Sequence, residues 1–168
     1  MSDGLAERIA EFLDDNHVLS LATLGPDGPH AANVLYAREE LSLFWLSDPS
    51  SRHSLHIEAR PAIAGTIAPD FWDFPAIKGL QLKGSAQRIM HPGDERRARG
   101  HLQARYPFLR DISAAAGALR EAYERAQIYR FDPVQIVLID NSHGFGSKEV
   151  LDIVSQASAV GRQIAVVR

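Results

Sequence analysis

The apolar positions change their period several times along the chain, and each change marks an element. Leu5, Ala6, Ile9, Phe12 and Leu13 recur at helical spacing with Glu7, Arg8, Glu11 and Asp14 between them, which predicts an amphipathic helix from Leu5 to Asp15. Alternation then takes over. Val18 to Leu24 predicts a strand, Gly25-Pro26-Asp27-Gly28 a turn, His30 to Ala37 a returning strand and Arg38-Glu39-Glu40 a charged turn. Leu41 to Ser47 completes a predicted antiparallel meander of three neighbouring strands. In this third strand Leu41, Leu43 and Trp45 alternate with Ser42, Phe44 and Leu46, so both faces carry apolar weight.

Asp48-Pro49 breaks that strand, and a helix opens at Ser50 and stops at Pro61. Ala62 to Ala68 predicts a strand of small and β-branched residues, followed by an aromatic loop from Pro69 to Pro75. Ile77 to Met90 is a long strand in which Gly84 is placed for a bulge or bend that lets a sheet curl. Pro92 to about Arg105 and roughly Ile112 to Gln127 read as surface helices. Tyr129 to Asp140 restores strand character, with Pro133 expected at a strand boundary because it cannot donate to a ladder. Asn141 to Lys148 is a glycine-punctuated loop, and Glu149 to Arg168 has no clean period. Six or seven strands in short antiparallel steps predict a mainly β fold, a small β-barrel with peripheral helices, in one domain over residues 1–168.

Composition narrows the function. At 168 residues and 45% hydrophobic, the chain suits a single core burying roughly 70% of the unfolded surface. A formal charge of -3 gives no general attraction to nucleic acid, so an anion site has to be local. The absence of cysteine excludes disulfides and thiolate metal sites. The first residues lack a basic region followed by an apolar one, and no apolar run is long enough to span a bilayer, so the expected setting is the cytoplasm, away from membranes.

The candidate chemistry lies at Ser50-Ser51-Arg52-His53, where hydroxyls, a guanidinium and an imidazole surround a predicted helix start whose unpaired N–H groups favour an anion. The same string also suits an ordinary serine-capped helix start with solvated basic residues. Phe44 and Trp45 are read as core first, as aromatic residues on a strand usually are. His53 and His56 lie three apart on one helix face, but no third ligand is spaced to complete a metal site, so no metal is expected. Arg96, Arg97, Arg99 and Arg105 form a basic helix without the interleaved aromatics of a nucleic-acid stacking surface, and read as a solvated face. His143, between Ser142 and Gly144, reads as a loop residue. No nucleophile elbow and no phosphate-cradling glycine motif is present.

Taken in order, Phe44-Trp45-Leu46-Ser47, Ser51-Arg52-His53, Ala64-Gly65-Thr66 and Lys78 to Ile89 resemble the pyridoxamine 5′-phosphate oxidase-like, FMN-binding split-barrel family. Leu138 to Gly146 resembles the carboxy-terminal part of its YhbP-like branch, with a looser likeness to haem-utilisation split barrels; the likeness covers roughly residues 5 to 150. The resemblance implies a homodimer with FMN at two equivalent interface sites, and a flavin-dependent oxidoreductase acting on a small substrate. The alternative it leaves open is an FMN- or haem-binding protein without turnover. Ser51 and Arg52 match the family's phosphate contacts, Trp45, Leu46 and Ser47 the strand lining the flavin, and Asn33, Val34, Leu35 and Tyr36 the strand beside the isoalloxazine. Phe145 and Lys148 are candidates to reach the interface site. The chain departs from the oxidase proper at His53, where that enzyme has a lysine, at Ala31 and Tyr36, where it has an arginine and a lysine, and at Gly79, near its glutamine. These departures argue against pyridoxamine phosphate oxidase activity itself. Gln81 and Lys83 share a strand face with Gly79 and stand as substitutes.

Overall fold

A computed structural model describes residues 2–154 and 163–167. Its strands lie in the order β2-β1-β5-β6-β7-β4-β3, with β8 pairing β7 and β9. They are β1 (Val18–Gly25), β2 (Gly28–Leu35), β3 (Ala37–Glu39), β4 (Ser42–Ser47), β5 (Ala62–Ile67), β6 (Lys78–Arg88), β7 (Gln127–Asp140), β8 (Lys148–Val154) and β9 (Gln163–Val167). Every pairing is antiparallel. The result is the curled, mainly β sheet with peripheral helices that the alternation predicts. The patternless tail supplies β8 and β9, and part of it lies outside the described residues.

Helix α1 (Ser2–Asp15) buries Leu5, Ile9 and Leu13 in the inner face of the sheet. The three are one helical turn apart, so a single stripe meets Leu19, Leu21, Trp45, Leu80 and Phe131 in one core. A smaller cluster forms outside β4, where Ala37, Phe44 and Ile128 receive Ala98, Leu102 and Tyr106 of α3 (Pro92–Arg105) and its C-cap. Burial of β4 on both faces follows from these two clusters. Helix α3 is therefore more than a solvated basic surface. Arg105 donates to the carbonyls of Leu13, Asp14 and Asn16 at the end of α1, where a cation meets the negative end of the helix dipole.

Four expectations need correction. The predicted charged turn Arg38-Glu39-Glu40 is mostly strand, because Arg38 and Glu39 pair with Leu43 and Ser42 in the β3–β4 ladder and only Glu40, at φ of 53°, turns. The meander is broken: β2 pairs with β1, whereas β4 pairs with β3 and β7, and no ladder joins β2 to β4. The reason is Tyr36, which is fully buried, donates from its hydroxyl to Leu13 O at 2.7 Å and accepts at its carbonyl from Tyr106 at 2.7 Å. These bonds carry the chain from one sheet edge to the other. Pro133 lies inside β7, opposite Gly84, at a register shift between Lys83 and Gly84; a residue without an N–H is tolerated where the ladder is interrupted. The long second helix is two, α4 (Phe108–Ala114) and α5 (Ala118–Arg125), separated at Gly117 with φ of 80°.

Candidate functional site

Because β2 and β4 diverge, a cleft opens between them. It has a volume of about 460 Å³ and is lined by Asn33, Val34 and Leu35 of β2, Leu46 and Ser47 of β4, Asp48, Ser51 and His53 of the turn and helix that follow, and Leu102, Tyr106, Phe108 and Leu109 of the α3–α4 region. One wall is apolar and one end is polar.

The polar end is built by helix α2 (Arg52–Ala59). Ser51 is its N-cap, with backbone φ and ψ of -64° and 149°, and its hydroxyl accepts from Ser54 N. Asp48 holds the turn by accepting from Ser50 N at 2.8 Å and Ser50 Oγ at 2.6 Å. These bonds keep the Asp48 carboxyl below its ordinary value. Ser47 Oγ lies 2.6 Å from His53 Nε2 and 3.1 Å from Ser51 Oγ, and Ser51 Oγ lies 3.2 Å from the same nitrogen. Burial, and after it the neighbouring His30 and His56 rings, push His53 below its ordinary value.

Behind this cluster α2 packs on the β1–β2 hairpin. His56 lies 3.1 Å from Thr23 Oγ1 through Nδ1 and 3.3 Å from Asp27 Oδ1 through Nε2. A Cβ on Gly25 would meet that ring at 2.0 Å, so only glycine leaves room for it. Among the described residues, no group of three histidine or carboxylate side chains is arranged to hold a metal ion.

The structure gathers seven of the twelve residues named from sequence around the cleft: Asn33, Val34, Leu35, Leu46, Ser47, Ser51 and His53. The other five lie elsewhere. Tyr36 and Trp45 are wholly buried, Trp45 stacked on Tyr129 at 5.9 Å between ring centroids, so neither offers a surface to a ligand in this chain. Strand alternation turns Trp45 inward beside Leu43 as it turns Leu46 to the cleft. Arg52 is exposed and its Nη1 lies 3.6 Å from Asp27 Oδ2, outside the cleft. Gln81 and Lys83 lie on the outer face of the sheet. Register places Asn33, Ser20, Thr66 and Gln81 in one row across it, and Ala31, Ala22, Ala64 and Lys83 in the next. Gln81 is therefore three strand spacings from Asn33, roughly 14 Å.

Sequence reasoning missed Leu102, Tyr106, Phe108 and Leu109, which form the far wall. The spacing of Leu102 and Tyr106, four apart at the end of an otherwise basic helix, was the available signal.

A curled antiparallel sheet left open between two strands, with a hydroxyl and imidazole cluster in the opening, defines a split barrel. Residues 5–139 match the family model of pyridoxamine 5′-phosphate oxidase, and the chain belongs to that family. It is 30% identical over 142 residues to a UPF0306 protein of Photorhabdus laumondii, covering 83% of this chain and 90% of that one. Among solved structures the fold is similar to a candidate pyridoxamine 5′-phosphate oxidase from Listeria innocua, with TM-score 0.60, 18% identity, and 80% and 97% of the two chains covered. It is equally similar to HutZ, the haem storage protein of Vibrio cholerae, with TM-score 0.62, 17% identity, and 76% and 88% covered. Among the described residues no helix is long and apolar enough to cross a membrane.

Proposed function

We propose that the protein binds FMN in the cleft between β2 and β4 and works as a flavin-dependent oxidoreductase on a small substrate, as a cytoplasmic homodimer. The observation that carries this reading is the Ser47–Ser51–His53 cluster at the start of α2, opening onto an apolar wall in a member of this family. Its donor set fits a phosphate monoester: two hydroxyls, an imidazole and the first N–H groups of a helix. Ser47, Ser51 and His53 would hold the phosphate, and Arg52 would join them by leaving Asp27. Leu35, Leu46, Leu102 and Leu109 would exclude water from the ring system. Bound flavin supplies one- or two-electron transfer that no side chain here supplies.

The homodimer reading rests on the outer sheet face. Ala22, Ala31 and Ala64 are exposed there in one row, with Val18, Leu24 and Leu35 each more than 40% exposed around them. A sheet face of small and apolar side chains suits a second copy. In that dimer Gln81 and Lys83 would serve the partner's cleft rather than their own.

The absorption spectrum of the purified protein tests the reading. Flavin bands, or their appearance with bound FMN added, support it; a colourless protein that ignores FMN overturns it. A Soret band would favour the second reading, a haem carrier, which is suggested by the fold shared with the Vibrio cholerae protein. Photoreduction followed by reoxidation with candidate acceptors separates enzyme from carrier, because a carrier gives no acceleration over free FMN.

A further inference from the structure

The cleft carries no fixed cation: among its described lining residues there is no lysine or arginine, and one carboxylate, Asp48, borders it. A phosphate dianion entering it meets hydroxyls and, among the described lining residues, a single imidazole, His53. Titratable groups from the surrounding elements flank that ring or line the same cleft. From β2 comes His30, stacked on His53 at 6.4 Å and 5°, and His30 in turn meets His56 of α2 edge-on at 5.9 Å. Asp48 of the preceding turn and Tyr106 at the end of α3 line the same cleft. Asp27, in the β1–β2 turn, is occupied by His56 and Arg52.

We propose that His53 is the ionisable phosphate ligand of this cleft, taking up one proton as a phosphate monoester seats beside Ser47 and Ser51, so that binding strengthens as the pH falls. This rests on the FMN reading of the site. Without ligand, burial and the flanking imidazoles disfavour the charged ring and hold its pKa below the ordinary value. A bound anion a few ångströms away reverses the balance by favouring the charged ring. Between the free and the liganded titration points each pH unit lost then tightens binding by up to about tenfold. A lysine at this position would hold its charge throughout, whereas histidine makes the grip conditional.

Calorimetric titration with FMN and with riboflavin, from pH 8.5 to 5.5 in two buffers of different ionisation heat, tests the inference. FMN binding is expected to show net proton uptake between pH 8 and pH 6 and to tighten over that range, while riboflavin binding stays level. In His53→Gln the proton uptake vanishes, and in His53→Lys binding is tight at every pH. The phosphate's own titration near pH 6 acts oppositely, by removing the dianion, and is read directly in His53→Gln. In the unmodified protein the His53 ring nitrogens, followed by NMR, should titrate at higher pH with FMN bound. If FMN binds with the same proton count in wild type and His53→Gln, or leaves the His53 titration unmoved, the inference fails and the FMN reading stands. If FMN binds at no pH, both fail.

Discussion

Arg52 of α2 reaches back to Asp27 of the β1–β2 turn, Nη1 to Oδ2 3.6 Å, and so lies outside the cleft that its neighbours Ser51 and His53 line. If it swings to the phosphate of FMN, Arg52→Ala weakens FMN binding by roughly 1.5–3 kcal/mol, the worth of a charge-assisted hydrogen bond. Riboflavin binding should not change. Asp27→Asn should tighten FMN binding about two- to fivefold by releasing an exposed ion pair. Flavin fluorescence quenching measures all three, and an Arg52→Ala protein that binds FMN as wild type does removes Arg52 from the site.

Gly84 and Pro133 face each other across the bulge of β6 and β7. A Cβ on Gly84 would lie 2.2 Å from Asp132 O and 2.7 Å from Pro133 Cα, both backbone atoms that cannot step aside. Gly84→Ala is expected to cost about 1–3 kcal/mol, as overpacking does. Urea denaturation should show the midpoint falling with little change in slope.

Two buried tyrosines should respond oppositely to loss of their hydroxyls. Tyr36 donates to Leu13 O where the chain switches sheet edges, so Tyr36→Phe should cost roughly 0.5–1.5 kcal/mol, the net worth of one hydrogen bond, while Arg105 still donates to that carbonyl. Among the described residues the Tyr129 hydroxyl has no partner. Tyr129→Phe should therefore leave stability level or raise it, since an unpaired buried hydroxyl is unfavourable. Thermal melts of the two variants side by side decide; a large loss in Tyr129→Phe would contradict the packing described.

Asp140 gives an acid signature at the end of β7. Burial raises its carboxyl, but hydrogen bonds from Ser142 and Lys78 outweigh this and hold it at about 2. A folded-state value below the ordinary 3.8 means the unfolded chain binds the proton first. The contribution is complete above pH 4 and is lost as the pH falls through about 2. Asp140→Asn should be less stable than wild type at pH 5 to 7, and the difference should close below pH 2.

Much of the fold was legible locally. The i, i+4 stripe of Leu5, Ile9 and Leu13, the two-faced apolar weight of β4, the Gly84 bulge and the Ser51 helix start each depend on side chains close together in the chain. Of the cleft residues, Ser51 and His53 were marked by the local helix start, and those on β2 and β4 by the family resemblance.

Long-range geometry decided the rest. Alternation tells which residues of a strand share a face, but not which strand it pairs with, so the gap between β2 and β4 followed only from Tyr36 being tied to Leu13 and Tyr106 from opposite sides. Register shows that Gln81 and Lys83 share the outer face with Asn33 and Ala31 but stand three strands away, beyond the reach of the cleft that Asn33 lines. The sequence by itself determined α1, the strands β1, β2 and β4 to β7, the Gly84 bulge and the chemical character of the α2 start, because these arise within a few residues. Only the tertiary structure decided that His53, Ser47 and Ser51 meet in a cleft without a fixed cation while Arg52 pairs elsewhere, because that depends on distances between side chains brought together by folding.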